Sequence, residues 1–268
     1  MKFAVIGDPH GKVVAKSKLS EVDAILITGD LGKADLARKR FFENIQRQKQ
    51  GLRELKPEKD FERDCYLETH DSALEVVSHY SSIAPVYVVF GNADIHDDEV
   101  RKTNEKFRLR LPFFVRDLRK IPNVEILNNR FANLQGVRIG GLEYFVDTSW
   151  IREFKPADYE KRFAKAQRQT EKARNVLNWF GRNQVDILLC HQPPYKILDS
   201  VGNSAPEQWR GKHAGSKPIL KYIQKYSPQY VFCGHIHEAE GHKNIGKTQI
   251  YNLGEGSYKI FEIEDDKK

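Results

Sequence analysis

Residues 228–237, PQYVFCGHIH, read as a strand that stops at a glycine and then presents two histidines, His235 and His237, one residue apart. In an extended segment residues two apart face the same side. Both imidazoles are therefore aimed at one spot, as ligands or as a polar cluster that water must satisfy. The choice depends on what the other strands deliver beside them. KFAVIG (2–7), DAILITG (23–29) and PVYVVFG (85–91) are short apolar runs closed by glycine, and VDILLC (185–190) is a fourth run of the same kind. Runs of this length, rich in Val and Ile, are buried-strand signals.

Each run is followed by a polar side chain. Asp8 and His10 follow the first, Asp30 the second, Asn92 and Asp94 the third, His191 the fourth, and His235 and His237 the fifth. Carboxyl ends of strands are where open α/β sheets place their ligand sites. Singly, an aspartate here reads as a helix cap and an asparagine as turn chemistry. Their joint occurrence after five strands is what those readings leave unexplained. Asp8, His10, Asp30, Asn92, His191, His235 and His237 make an oxygen–nitrogen donor set without thiolate, which suits Mn, Fe, Zn, Co or Ni. Seven donors exceed one tetrahedral ion and match two ions sharing a carboxylate.

The rest of the chain frames this rim. Its 268 residues are 40% hydrophobic and allow a sizeable core. No apolar run approaches the roughly 20 residues that span a bilayer, and the apolar run at the N-terminus is too short for a signal-peptide core. Cys65, Cys190 and Cys233 cannot all pair, so buried free thiols and a cytoplasmic location are expected. Alternation of strands and helices predicts a single α/β domain over 1–268, with two sheets in contact and helices outside. Within it, 33–82 is a charged insert of two helices broken near Pro57. NVEIL, FANL and VRIGGL (123–142) are expected as adjacent antiparallel strands. Helices are expected over 156–181, with Pro156 as its first residue, and over 216–226; closing strands are expected near 246–252 and 257–263.

Net charge is +7, with the excess in two segments. Residues 101–120 carry eight Lys or Arg against Glu105 and Asp117, and 33–56 carry eight against three acidic residues. These read as solvated helix faces or as a positive field for a phosphate-bearing substrate. Neither interleaves exposed aromatics as a nucleic-acid stacking platform would, although Phe113 and Phe114 keep that question open.

The ordered set Asp8-Pro9-His10, Gly29-Asp30, Gly91-Asn92-Ala93-Asp94, His191 and Gly234-His235-Ile236-His237 resembles the calcineurin-like metallophosphoesterase superfamily, and is most similar to its prokaryotic Icc-related phosphoesterases. The resemblance implies two mixed β-sheets packed face to face, flanked by helices on both sides. It also implies two divalent transition-metal ions, with manganese favoured over iron, zinc, cobalt or nickel. Asp8, His10, Asp30 and His237 would hold the first ion; Asp30, Asn92, His191 and His235 would hold the second. The implied activity is hydrolysis of a phosphodiester or phosphomonoester, with a small nucleotide-type substrate and a metal-held hydroxide as nucleophile. A nuclease using the same metals and a metal-poor interaction scaffold are the alternatives. The sequence departs from the family at Ala93, where many members have a histidine that is assigned to stabilising the transition state or protonating the leaving group. His96 and His213 are candidates to replace it, and Ser216, at the start of the following helix, is an expected substrate contact.

Overall fold

A computed structural model describes residues 1–156 and 158–263. The first sheet comprises β1 (Lys2–Ile6), β2 (Ala24–Ile27), β3 (Val86–Val88), β4 (Val124–Ile126) and β11 (Tyr258–Glu262), in the order β11-β1-β2-β3-β4. Strands β1 to β4 run parallel, with β4 at one edge, and β11 closes the other edge antiparallel to β1. The second comprises β5 (Arg130–Leu134), β6 (Val137–Leu142), β7 (Ile187–Cys190), β8 (Tyr230–Cys233), β9 (Gly241–Ile245) and β10 (Thr248–Asn252), in the order β5-β6-β7-β8-β10-β9. Here β6, β7, β8 and β10 are parallel, and both edges are antiparallel.

The sheets are buried on both faces, so their strands read as continuous apolar runs instead of an alternation. Side chains still alternate in space. Phe3, Val5 and Leu26 meet Ile139, Ile187, Leu189 and Phe232 between the sheets. From the opposite faces of the same strands, Ala4, Ile6, Ile25 and Ile27 join Val76, Val77 and Tyr80 of α2 (Lys59–Ser81) and Phe114 and Leu118 of α4 (Phe114–Leu118). Likewise Leu188, Cys190, Val231 and Cys233 pack under α6 (Tyr159–Arg182) and α7 (Lys217–Tyr226) through Leu177, Phe180, Ile219 and Ile223. Each fully buried side chain of this size contributes about 1.5–3 kcal/mol. The α/β architecture of two mixed sheets with helices on both outer sides is as expected.

Two local expectations are corrected, and two elements appear that the sequence did not signal. NVEIL does not pair with FANL: β4 lies parallel to β3 in the first sheet, and only β5 and β6 form the antiparallel pair. The segment Thr148–Phe154 is a helix, α5, capped by Asp147, whose Oδ1 accepts from Ser149 N at 2.8 Å. Pro156 precedes α6 without being its first residue. An exposed edge strand, β9, extends the second sheet where no strand signal was read. The 33–82 insert is indeed two helices, α1 (Asp35–Lys49) and α2, but α2 forms the outer cover of the first sheet. Helix α3 (Asp97–Phe107) follows β3. All three cysteines are free. Among the described residues, no helix is long and apolar enough to cross a membrane.

Candidate metal centre

Asp8 is delivered by the end of β1 into the seam between the sheets and is fully buried. Its Oδ1 accepts from Thr28 Oγ1 at 2.8 Å and its Oδ2 from the backbone N–H of His235 at 2.5 Å. Oδ2 also lies 3.3 Å from His237 Nε2, and Oδ1 3.5 Å from His191 Nδ1. Strand ends from both sheets therefore meet at one carboxylate. Gly234 is required by that approach, because a Cβ there would collide with the Asp8 carboxylate.

Asp30 occupies the other half. Its Oδ2 lies 3.7 Å from His10 Nε2 and 3.6 Å from His191 Nε2, between the two imidazoles. Its Oδ1 accepts from Ala93 N at 2.7 Å. Asn92 Oδ1 is 2.9 Å from His191 Nε2, so the amide reaches the second group as well. The His191 and His235 ring centroids are 4.9 Å apart, and those of His10 and His237 are 5.3 Å apart. All seven expected ligands are thus brought together. His10, Asp30 and His235 hold φ of 44°, 49° and 68°. Left-handed backbone is uncommon outside glycine, and such residues cluster at functional sites.

Electrostatics follows from packing charges of both signs out of water. Burial would raise the Asp8 carboxyl, but His191 and His237 outweigh it and hold it below the ordinary carboxylate range. Burial opposes a charge on His191, yet Asp30 and Asp8 pull it up to about 9. At His235, burial and the neighbouring His191 outweigh the pull of Asp8 and lower it to about 3. Burial also lowers His10.

Groups from Asp8, His10 and His237, and from Asp8, Asp30 and His191, converge with their donor atoms within 4.8 Å of one another. His10 Nδ1 is buried without a hydrogen-bond partner. A buried orphan nitrogen is rare and calls for an explanation such as an ion. With carboxylate, amide and imidazole donors only, this arrangement fits two divalent ions.

Around the cluster stand Asp94, which the sequence showed without a role, and three residues it did not single out. Asp94 accepts from the N–H groups of Gly91 (2.8 Å), Asp30 (2.8 Å) and Leu31 (3.0 Å), tying the second and third strand ends together. Burial and the nearby Asp30 raise its carboxyl to about 7. Glu255 lies 3.1 Å from His237 Nδ1 and is paired with Lys12 at 2.7 Å. Tyr144 packs its ring 5.6 Å from that of His191 and 5.5 Å from that of His235. Glu255 and Tyr144 follow β10 and β6, so the strand-end rule applied to those strands finds them. Arg38 of α1, whose Nη2 is 3.5 Å from His10 Nε2, has no comparable signal.

The remaining candidates lie apart from the cluster. His96 is the residue before α3 and packs edge-on to Phe90 at 5.4 Å. His213 sits 2.8 Å from Asp199 and edge-on to Tyr195 at 5.6 Å. Ser216 is fully buried and caps α7: its Oγ accepts from Ile219 N at 3.4 Å and donates to Asp147 Oδ2 at 2.9 Å.

Two cavities open on the cluster. One, of about 440 Å³, is lined by His10, Asp30, Asn92 and Ala93 and walled by α1 and α2. The other, of about 660 Å³, includes His235, His237 and Asn92 and is walled by Phe41, Phe42, Trp150, Phe154 and Trp209. Neither His96 nor His213 lines either one.

A UPF0046 protein of Caenorhabditis elegans is 32% identical over 73 residues, covering 27% of this chain and 22% of that protein. An uncharacterized protein of Methanocaldococcus jannaschii is 31% identical over 80 residues, covering 29% of this chain and 35% of its own length. The chain thus spans about a third or less of these relatives. Among solved structures, a dimetal phosphatase from Danio rerio superposes with a TM-score of 0.51 at 12% identity, over 97% of this chain and 91% of that one. At that identity the likeness is one of fold. The profile of the calcineurin-like phosphoesterase family matches residues 1–239, and the chain belongs to that family.

Proposed function

We propose that this protein hydrolyses a phosphate ester at a dinuclear centre, with a phosphodiester of a small nucleotide-type molecule as its substrate and manganese as its metal. The observation that carries the reading is the convergence of Asp8, Asp30 and His191, and of Asp8, His10 and His237, on donor atoms within 4.8 Å of one another. The family normally binds two divalent metals. In the proposed arrangement Asp8, His10, Asp30 and His237 hold one ion, and Asp30, Asn92, His191 and His235 the other. The position of Asp30 Oδ2 between His10 and His191 supports its role as the shared ligand. When bound, such ions polarise a phosphoryl oxygen and lower the pKa of a bound water. The chain supplies the geometry: Asp94 fixes the Asp30 and Asn92 loops through three amides, and Glu255 and Asp8 orient His237 from opposite ring nitrogens. Hydrogen bonds of this kind orient ligands and tune the metal.

The nucleotide reading draws support from the larger cavity. Trp150 and Phe154 stack at 4.8 Å, and Trp209 lies 5.9 Å from Phe154 and 5.8 Å from Phe41. At about 660 Å³ it has the size of a small-ligand site, and its aromatic faces suit a planar base. An extended nucleic-acid footprint is not favoured: Phe114 is buried and Phe113 is covered by Arg116 at 4.6 Å, so neither offers a free face. We also place the protein with the Icc-related branch and in the cytoplasm, in keeping with its free thiols.

The test is a hydrolysis panel with added Mn²⁺ covering nitrophenyl mono- and diesters, cyclic nucleotides and short oligonucleotides. Turnover of a small diester, abolished by chelation, is expected. Hydrolysis confined to oligonucleotides, with steep salt dependence, would move the assignment to a nuclease. Two bound metals with no hydrolysis of any ester would contradict the proposal.

A further inference from the structure

Ala93 stands where the family resemblance implies a histidine, and the two candidates to replace it, His96 and His213, line neither cavity. What does border the space beside Ala93 is Arg38. It lines the smaller cavity together with His10, Asp30, Asn92 and Ala93, and it lines the larger one too, standing where the two meet. Ala34, Ala37, Arg38 and Phe41 recur at helical spacing, so a single face of α1 is turned to the site.

The charge of Arg38 is not accounted for by the protein itself. It is exposed at the mouth of the cavity; among the described residues it forms no ion pair, and its Nη2 lies 3.5 Å from His10 Nε2. A guanidinium is always protonated and offers five N–H donors in a fixed fork. Facing an imidazole within a cluster built for divalent cations, it repels what the cluster is made to hold. Such a placement makes sense when an anion enters between them. A phosphoryl group has the matching charge and geometry, since its oxygens accept the fork in a bidentate manner.

Resting on the phosphoesterase reading above, we propose that Arg38 contacts the phosphoryl group of the substrate and stabilises the charge that develops there, in the space that Ala93 leaves open. Arg38 thereby takes over the electrostatic part of the work of the missing histidine. It takes no part in proton transfer, because a guanidinium does not give up its proton in this pH range. Leaving-group protonation is then unassisted by this residue, and the enzyme favours esters whose leaving groups carry charge well. The contact also places α1 in the specificity of the site, because Phe41, one turn on, begins the aromatic wall of the adjoining cavity.

The experiment compares manganese-loaded wild type, Arg38→Ala and Arg38→Lys. Three quantities are measured: bound metal, turnover of a nitrophenyl phosphodiester, and inhibition by inorganic phosphate. Arg38→Ala is expected to keep its metal and to lose about 10²–10³-fold in turnover, the usual effect of removing one preorganised donor to a developing charge. Its inhibition constant for phosphate should rise about tenfold, in line with loss of one charge-assisted contact. Arg38→Lys should lie between, and free guanidinium should restore part of the rate of Arg38→Ala. Unchanged phosphate inhibition in Arg38→Ala, or a loss of metal that parallels the loss of activity, would overturn the proposal. If wild type hydrolyses no ester, the phosphoesterase reading fails on its own terms. Calorimetric titration of the metal-loaded proteins with phosphate then still decides on Arg38, since equal affinities overturn the contact and weaker binding by Arg38→Ala upholds it.

Discussion

Helices α1 and α2 come from the same charged segment, yet they use their apolar residues in opposite ways. In α2, Ala73, Val76, Val77 and Tyr80 recur along one stripe and are fully buried against the first sheet. In α1 no residue is buried, and Leu36, Phe41 and Phe42 are 36%, 44% and 41% exposed. The helix is held by polar and cationic contacts instead: Glu68 of α2 accepts from Leu36 N at 3.0 Å, and Arg40 lies 3.8 Å above the Phe61 ring. Of its exposed apolar side chains, Phe41 and Phe42 stand at the mouth of the metal cluster and wall the larger cavity. Apolar surface sealed in a core sets stability; apolar surface left open beside a charged cluster is available to a ligand.

That contrast can be broken at several points. The largest effect is expected at Tyr80, whose ring is fully buried and whose hydroxyl accepts from Val14 N at 3.1 Å. Tyr80→Ala should cost about 3–5 kcal/mol in denaturant unfolding, as for other buried aromatics. It should leave turnover per folded molecule unchanged; a stable Tyr80→Ala would remove α2 from the core. Metal acts on the site half of the comparison. Saturation at about a hundred times the dissociation constant should stabilise the fold by about 2.7 kcal/mol. Chelation should therefore lower the melting temperature, and an unaltered melting curve would show that no ion binds the folded state. Phe41→Ala tests α1 itself. We expect KM for a nucleotide ester to rise about tenfold, the scale of one lost aromatic contact, with KM for a small non-aromatic diester unaffected. An equal rise for both would remove the aromatic wall from base recognition. The smallest effect belongs to Leu52, which is 49% exposed beyond the end of α1. Leu52→Ser should change stability by no more than about 0.5 kcal/mol, and a larger loss would mean that this surface is covered.

The site was more legible than its walls. Parallel strands buried on both faces give unbroken apolar runs, and the residue after each run lies at the rim by construction. That rule located Asp8, Asp30, Asn92, His191 and His235, and it would have reached Tyr144 and Glu255 had β6 and β10 been treated alike. Proximity along the chain misled at β4: short loops suggested a meander, but the apolar face of β4 is shared with β3, and a local reading does not tell which sheet a strand joins. Strand β9, GHKNI, is polar because it is an exposed edge, so it carried no apolar signal. Arg38 looked like any solvated helix arginine. Its significance comes from where α1 is docked, which no spacing within the helix reveals.

In the proposed arrangement Asp30 is shared by two ions. The direct test is Asp30→Asn, with bound metal per chain determined by elemental analysis alongside turnover of a small phosphodiester. Asn keeps the size of the side chain and an oxygen able to accept from Ala93 N, but it loses the charge that makes the group a bridging ligand. The variant is expected to fold, to bind less than two metals per chain, and to lose activity in step. A variant that retains two metals and full turnover would contradict that arrangement.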